Sequence, residues 1–375
     1  MFNSKRIMIA AGGTGGHINP ALAVASEIRK RCPEAAIIFV GTADRMEAKL
    51  VPNAGFDFTT IEIRGFKRSF SPSAIKANLK TVCLLLKSSS QVKKIIEKFK
   101  PDVVVGFGGY VSGPVLRMAC KMGIPTAIHE QNAYPGVTNK ALAKTVDRVM
   151  LTVMDAKKHM EPKNEPVYTG LPVRGELIEA DRDLSRAELK LDNRPLVLSM
   201  GGSLGARAVN EAIIEAISDM HKDGKCYFLH AYGQYGKWVP DKLKEKGVDL
   251  DSEKHIMVRE YIDDMARCLS AADLVICRAG ASSLSEFQVM GKPSILIPSP
   301  NVAENHQYHN AMALVNNDAA TIIEEKDLSG EALTKAIKNL IFDKDRLSQI
   351  GTNAKKMAIT DATDRIIKVI GEIIR

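Results

Sequence analysis

Short apolar runs rich in β-branched residues alternate with amphipathic stretches along most of the chain. The runs of the first half are predicted to be β-strands: RIMIAA, AAIIFVG, FTTIEI, DVVVGF, TAIHE and RVMLTV. The segments between them, such as NPALAVASEIRKR and VSGPVLRMACKMG, have the apolar spacing of helices. Apolar strands that are joined by helices indicate a parallel sheet covered on both faces.

A second series of the same kind follows a polar segment. The segment DAKKHMEPKNEPVYTGLPVRGEL carries several prolines and charges, and it is interpreted as a linker. The later strands are predicted at PLVLSMGG, CYFLHAYG, HIMVREY, DLVICRAG, PSILIP and ATIIE. The pattern therefore predicts an α/β protein with two Rossmann-like, doubly wound domains, over residues 1–163 and 164–356. Because ligands bind at the carboxyl ends of such strands, we expect an interdomain cleft.

Length and composition agree with two globular domains. The chain has 375 residues, of which 45% are hydrophobic and 26% charged. No run approaches the roughly 18 apolar residues of a membrane-spanning helix. The apolar N-terminus continues into a glycine loop without a signal-peptide cleavage site, so we expect a cytoplasmic protein. Scattered cysteines without a C-x-x-C pair indicate reduced thiols.

The charge balance narrows the choice of partners. A net charge of +8 favours anionic ligands, whether nucleic acid, acidic lipid or phosphate-bearing substrates. With 5% aromatic residues and no long basic arm, nucleic acid is the partner that the sequence favours least.

Glycine-rich turns follow several predicted strands and open predicted helices. They are GGTGGH (12–17), GFGG (106–109), GGSLG (201–205) and RAGASS (278–283). Glycine allows a phosphate or a sugar to approach the backbone, and the following helix N-terminus offers unpaired N–H groups. A single such loop is as readily explained by a tight turn, but the repetition favours ligand binding.

Other phosphate-binding patterns are missing or poor. No loop gives G-x-G-x-x-G, since Val111 and Ile18 stand where the third glycine belongs, and there is no G-x-x-x-x-G-K-[ST]. The two Asp-x-Asp sequences, at 181–183 and 249–251, lie in polar loop sequence. These absences argue against a dinucleotide-dependent enzyme, an ATPase and metal-dependent sugar transfer. The charge of a departing diphosphate would then be stabilised by helix dipoles and polar groups.

Read together, the loops resemble a known family over nearly the full length of the chain. The matching stretches are GGTGGHINPALA (12–23), GFGGYVSGP (106–114), HEQNAYPG (129–136), TGLPVR (169–174), GGSLGA (201–206), EYIDDM (260–265), RAGASSLSE (278–286) and ENHQYHNA (304–311). They resemble the UDP-N-acetylglucosamine–lipid N-acetylglucosaminyltransferases of bacterial peptidoglycan synthesis, in glycosyltransferase family 28.

The resemblance implies the two-domain GT-B fold, with a C-terminal helix at about 357–375 packed back on the first domain. It implies inverting transfer of N-acetylglucosamine from UDP-N-acetylglucosamine (UDP-GlcNAc) to a lipid-linked muramyl-pentapeptide. No metal and no other cofactor are expected. It also implies peripheral localisation at the cytoplasmic face of the cell membrane and association with other proteins of cell-wall synthesis.

The same resemblance assigns donor-binding roles. Glu286 would hold the ribose hydroxyls, although Ser283-x-x-Glu286 is also a capping box. Ser203 would contact the diphosphate or, alternatively, cap a helix. Arg174 would lie in the cleft or be a solvated linker residue. The remaining candidates are Ile262 for uracil, Gln307 for the sugar hydroxyls, and the pocket residues Ala281, Ser282 and Ser283, where the family often has Ala-Leu-Thr.

Candidates for chemistry lie in the first half. His17 suits removal of a proton from an acceptor hydroxyl, because histidine titrates near neutral pH and a helix N-terminus disfavours its charged form. A structural or phosphate-contacting histidine is the alternative, and Glu130 is a second candidate base. The resemblance adds substrate contacts by Thr14, Gly15, Gly16 and Asn132, although Asn132 could instead cap a helix over 133–143. His306-x-x-His309 has no evident third metal ligand.

A lipid acceptor requires a membrane contact, for which residues 64–99 are the candidate. Phe66, Phe70 and Leu84–Leu86 are accompanied by Lys67, Arg68 and further lysines, a combination typical of an interfacial patch on an anionic membrane surface. In the helix predicted near 73–99, the apolar residues Ile75, Leu79, Val82 and Leu86 could instead form a buried stripe, with the lysines facing outward.

Alternatives from other classes are a nicotinamide-dependent oxidoreductase on two Rossmann-like domains, a non-catalytic nucleotide-sugar-binding or membrane-adaptor protein, and a UDP-sugar epimerase.

Overall fold

The computed structural model of the protein describes residues 2–63 and 87–374. It divides into two compact units: unit 1 comprises Met1–Pro172 and Asp361–Arg375, and unit 2 comprises Val173–Thr360. Each unit is built on its own parallel sheet, so the predicted α/β class with two doubly wound domains is confirmed.

The sheet of unit 1 has its N-terminal strand near the middle. In spatial order the strands are Asp57–Thr60, Ala36–Gly41, Arg6–Ala11, Val103–Gly108, Thr126–Glu130, Arg148–Leu151 and Val167–Tyr168. The helices are Gly15–Arg31, Glu47–Asn53, 87–99, Ser112–Lys121, Val137–Ala143 and Ala362–Ile373, with a 3₁₀ helix at Met154–His159.

The sheet of unit 2 repeats this arrangement. Its strands lie in the order Ile256–Arg259, Tyr227–Ala231, Leu196–Met200, Leu274–Cys277, Ser294–Leu296 and Thr321–Ile322. The helices are Gly175–Glu179, Arg182–Glu188, Arg207–Met220, Val239–Glu245, Met265–Ala271, Ala281–Met290, His306–Val315, Gly330–Ile341 and Lys344–Lys356, with 3₁₀ helices at His221–Asp223, Ala303–Asn305 and Glu325–Asp327.

The end of the first segment of unit 1 differs from the sequence prediction. Val167–Tyr168 pairs in parallel with Arg148–Leu151, so part of the predicted linker is the last strand of this sheet, and unit 1 runs past residue 163. The C-terminal helix Ala362–Ile373 contributes Ile366 and Ile370 to the core beneath the sheet. Full burial of such side chains stabilises the fold by roughly 1.5–3 kcal/mol each.

Candidate active site

In unit 1 the carboxyl ends of two neighbouring strands carry the first glycine loops. Arg6–Ala11 and Val103–Gly108 pair directly, and the chain continues from them to opposite halves of the sheet. This is the topological switch point, where doubly wound sheets bind their ligands. The loop after the first strand leads into the helix Gly15–Arg31, with Thr14 at its N-cap in extended conformation.

The two loops touch through glycines. A Cβ atom on Gly109, whose φ is +83°, would lie 2.3 Å from the carbonyl oxygen of Gly12. No side chain fits there, so glycine keeps the loops in contact. By contrast, a Cβ on Gly16 would approach nothing closer than Thr14 Oγ1 at 3.7 Å. Thr14 and Gly16 are exposed, as the predicted substrate contacts require.

A buried carboxylate that the sequence analysis missed holds the first loop. Glu47 is fully buried; its Oε2 accepts a hydrogen bond from Gly13 N–H at 3.0 Å, and its Oε1 accepts from Thr42 N–H and Oγ1 at 3.1 and 2.7 Å. No sequence signal identifies this role, because Glu47 and Gly13 lie 34 residues apart. Glu47 ties the glycine loop to the end of the second strand.

His17 lies in the first turns of Gly15–Arg31, against both neighbouring loops. Its Nδ1 is 3.0 Å from Gln131 Oε1, and a Cβ atom on Gly108 would lie 2.6 Å from that same nitrogen. The imidazole therefore occupies space that only a glycine at position 108 leaves free. No hydrogen bond from His17 Nε2 to another described residue is present, and the ring is partly exposed.

Glu130, the second candidate base, is engaged in structural hydrogen bonds. Its side chain is buried and accepts from Asn132 N–H and Nδ2, from Gly136 N–H and from Asn139 Nδ2, at 2.9–3.1 Å. A carboxylate with four donors is poorly placed to take a substrate proton, so the geometry favours a structural role. The alternative of Asn132 as a helix cap is wrong, because the helix begins at Val137 with Gly136 as its N-cap.

In unit 2 the switch point lies between Leu196–Met200 and Leu274–Cys277. The loop 201–206 follows the first of these strands and contains Ser203, whose side chain is exposed. The N-cap alternative for Ser203 is wrong, since the helix begins at Arg207 and Ala206 occupies the N-cap. A Cβ on Gly205 would lie 2.2 Å from Tyr232 O, so this loop is fixed against the loop of the next strand.

The second strand of this switch point leads into the helix Ala281–Met290. Gly280 is its N-cap, which places Ala281, Ser282 and Ser283 in the first turn, where backbone N–H groups have no partner within the helix. The capping-box alternative for Ser283 and Glu286 is wrong, because a capping box needs its serine at the N-cap. The Glu286 side chain therefore does not cap this helix.

Glu286 instead pairs with Arg174. Arg174 Nη2 and Nε lie 3.1 and 3.3 Å from Glu286 Oε1, and Nη1 lies 3.3 Å from Glu176 Oε1. Burial raises the pKa of the Glu286 carboxyl, and the positive charge of Arg174 opposes that rise. Arg174, at the start of unit 2, thus lies beside Glu286 in the helix Ala281–Met290, and it is not simply a solvated linker residue.

The remaining donor-site candidates, Ile262 and Gln307, each have polar groups that could hydrogen-bond to a ligand. The Ile262 side chain is 2% exposed, and its backbone N–H and C=O hydrogen-bond to no other described residue. Gln307 Oε1 accepts from Ser299 N–H at 2.9 Å, which leaves its Nε2 to donate. Gln307 follows Glu304 and Asn305, two consecutive non-glycine residues with positive φ, a conformation that tends to occur at functional sites.

Two expectations concern features outside these loops. In the part of the chain that the structure describes, no three His, Cys, Asp or Glu side chains are grouped closely enough to hold a metal ion. None of the helices within 2–63 and 87–374 combines the length and apolar character needed to cross a bilayer. The expected membrane patch at Phe66–Phe70 and Leu84–Leu86 lies outside the described residues.

Comparisons with known proteins agree with this arrangement. Residues 7–151 match the N-terminal domain model of glycosyltransferase family 28, and residues 196–366 match the C-terminal domain model of the same family. The fold is thus that of a two-domain glycosyltransferase, and the GT-B prediction is confirmed.

Full-length relatives specify the family further. The chain is 44% identical over 373 residues to the UDP-N-acetylglucosamine–N-acetylmuramyl-(pentapeptide) pyrophosphoryl-undecaprenol N-acetylglucosamine transferase of Acetivibrio thermocellus, covering 99% of this chain and 98% of that protein. It is 40% identical over 372 residues to transferase 1 of the same name from Bacillus cereus, covering 99% and 100%. The crystal structure of Acinetobacter baumannii MurG superposes with a TM-score of 0.80 at 30% identity, covering 98% and 99%. The chain belongs to this MurG family of N-acetylglucosamine transferases.

Proposed function

We propose that this chain transfers N-acetylglucosamine from UDP-GlcNAc to undecaprenyl-diphospho-N-acetylmuramoyl-pentapeptide (lipid I), giving the β-1,4-linked disaccharide lipid II and UDP. The observation that carries the proposal is the position of the family motifs. The glycine-loop motifs lie at the topological switch points of both sheets, with His17 in the helix after the first loop of unit 1 and Glu286 in the helix after the last loop of unit 2. The family membership favours a transferase over the oxidoreductase, the adaptor and the epimerase.

Unit 2 would bind the donor. Glu286 offers carboxylate oxygens to the vicinal ribose hydroxyls, and the free backbone groups of Ile262 suit the edge of uracil. The first-turn N–H groups of Ala281–Ser283 and the exposed Ser203 would receive the diphosphate. Gln307 Nε2 would donate to a sugar hydroxyl, because its Oε1 is already occupied.

Unit 1 would bind the acceptor and supply the base. His17 Nε2 accepts the proton of the attacking muramoyl hydroxyl as its oxygen forms the new bond to the anomeric carbon of the donor sugar. The bond from that carbon to the diphosphate oxygen breaks, the configuration inverts, and UDP departs with the electron pair. Thr14, Gly15 and Gly16 would contact the acceptor through the exposed loop. Asn132 would contact the sugar through its side-chain amide, beside the Glu130 carboxylate to which its Nδ2 donates.

The lipid-borne acceptor requires peripheral binding to the cytoplasmic face of the membrane. The sequence basis is the basic, aromatic stretch RGFKRSF at 64–70. Changing Lys67 and Arg68 to Glu should weaken binding to acidic liposomes and leave donor binding unchanged. Equal liposome binding by the variant would contradict the patch.

A coupled assay of UDP release tests the reaction class. With UDP-GlcNAc and the lipid-linked muramyl-pentapeptide together, the protein should release UDP, and His17→Ala should abolish most of that release. Conversion of UDP-GlcNAc in the absence of acceptor would point to an epimerase. A lack of UDP release by folded protein with both substrates would contradict the proposal.

A further inference from the structure

A chain of hydrogen bonds runs through unit 1 from Gly170 to His17. His129 Nε2 lies 2.9 Å from Gly170 O, Gln131 Nε2 lies 3.1 Å from His129 Nδ1, and Gln131 Oε1 lies 3.0 Å from His17 Nδ1. His129, in the strand Thr126–Glu130, and Gln131, directly after it, thus connect Gly170 to the candidate base. His129 and Gln131 are both buried and neither acts on substrate in the mechanism above.

The surroundings of Gln131 determine which way its amide group points. Gln131 Nε2 lies 2.8 Å from Phe107 O and 3.1 Å from His129 O. Carbonyl oxygens only accept hydrogen bonds, so the NH₂ group must face them. The reversed amide would place Oε1 against two carbonyl oxygens in a buried site, where repulsion and lost hydrogen bonds are costly. Oε1 is therefore directed at His17.

His129 supports the same orientation. A carbonyl oxygen at Gly170 can only accept, so His129 carries its proton on Nε2, and its Nδ1 is left to accept from Gln131. Complete burial lowers the pKa of His129 to about 4, which keeps the ring neutral at physiological pH. The ring also stacks on Phe107, with centroids 5.5 Å apart. His129 is thus a fixed acceptor behind the Gln131 amide.

The consequence reaches His17. Because Gln131 Oε1 can only accept, the hydrogen bond requires a proton on His17 Nδ1. In the neutral ring the other nitrogen then has a free lone pair. We propose that Gln131, held by His129 and by Phe107 O, is a positioning residue that fixes His17 as the Nδ1-protonated tautomer with Nε2 ready to accept a proton. This inference deepens the proposed function and rests on it.

Nitrogen NMR of the histidine side chains tests the tautomer without any turnover. In the ¹⁵N-histidine-labelled full chain, with His17 assigned by comparison with His17→Asn, Nδ1 should have the shift of a protonated nitrogen at alkaline pH. Gln131→Met keeps the size of the side chain but has no acceptor, so the Nε2-protonated form should appear. An identical His17 spectrum in wild type and Gln131→Met would overturn the proposal.

Kinetics provide a second readout. Gln131→Met should lower kcat at least about tenfold, because general-base catalysis contributes 10²–10⁴-fold and depends on the tautomer, while KM for UDP-GlcNAc stays unchanged. His129→Phe preserves the stacking on Phe107 and should cause a smaller loss, since two carbonyl oxygens still hold the amide. Gln349→Met, which makes the same change at an exposed residue bonded to Asp318, is the matched control and should retain wild-type kcat.

The two proposals fail in different ways. Unchanged kcat in a folded Gln131→Met protein would overturn the positioning role even though transfer is observed. A rise in KM for the donor as large as the fall in kcat would also overturn it. A wild-type chain that forms no disaccharide lipid would overturn the proposed function, whereas the NMR comparison would still decide the tautomer.

Discussion

Arg174 Nη2 lies 3.1 Å from Glu286 Oε1, which joins the first residues of unit 2 to the helix that begins at the switch point of its sheet. Arg174 is half exposed, whereas Glu286 is largely buried. The pair therefore orients the carboxylate that we assign to the donor ribose, and it gives that carboxylate a charged partner in a poorly solvated position.

Replacement of this carboxylate should weaken donor binding specifically. Glu286→Gln keeps the shape but loses the charge, so the Kd for UDP should rise about tenfold, the equivalent of one charge-assisted hydrogen bond of roughly 1.5 kcal/mol. Calorimetric titration with UDP measures this change. Glu176→Gln, at the exposed carboxylate on the other side of Arg174, is the control and should bind UDP normally. Equal affinity in both variants would contradict the ribose role.

The contact between Gly108 and His17 gives a second prediction. Gly108→Ala would bring Cβ to 2.6 Å from His17 Nδ1, so the ring must move, and displacement of about 1 Å at a reacting group costs roughly 100-fold in rate. We expect kcat to fall by that order with donor affinity unchanged. Gly123→Ala, at a φ of +71° with no neighbour within 4 Å, is the control that places an alanine at positive φ without such a contact. A comparable loss of kcat in both variants would show that the contact is irrelevant.

Glu47 should contribute to the stability of the folded protein. Glu47→Gln turns one hydrogen-bond acceptor into a donor, which leaves either Gly13 N–H or the Thr42 donors facing an NH₂ group in a buried site. The free energy of unfolding in urea should decrease by about 1–3 kcal/mol. Glu97→Gln, at an exposed carboxylate that pairs with Lys93, should change it by less than about 0.5 kcal/mol. If Glu47→Gln is equally harmless, the loop does not depend on this carboxylate.

Two buried histidines predict how stability depends on pH. Burial lowers the pKa of His129 in unit 1 and of His230 in unit 2 to about 4, from an ordinary value of 6.5. Unfolded protein therefore binds more protons than folded protein below pH 6.5, and stability should fall as the pH is lowered from 6.5 to about 4. The full loss is roughly 3 kcal/mol for each histidine. Urea unfolding across this range measures the slope, and His230→Phe should reduce it. A flat profile in both proteins would contradict the assigned burial effect.

The sequence predicts the sheets well because their signal is local. Runs such as DVVVGF are apolar on both faces, which only a covered parallel strand requires. The two-residue strand Val167–Tyr168 lies among prolines and charges and was therefore predicted to belong to a linker. Its position depends on pairing with Arg148–Leu151, which no local pattern encodes.

The sequence predicts those site residues that lie within a local motif, but not those whose partners are distant along the chain. His17 and Glu286 were found because they stand inside recognisable motifs, and the helix starts at Arg207 and Ala281 then removed the capping alternatives. Glu47 was missed because its partner Gly13 is distant in sequence. Gln131 stands between the candidate residues Glu130 and Asn132, but its bonds to Phe107 and His17 exist only in the folded chain.

The most direct test of the central claim is transfer of labelled sugar to lipid. Protein incubated with UDP-GlcNAc that is radiolabelled in the sugar, and with lipid-linked muramyl-pentapeptide, should move the label into the lipid fraction as a β-1,4-linked disaccharide, with one UDP released per sugar. Label that stays entirely in the aqueous fraction, with folded protein and both substrates present, would contradict the account.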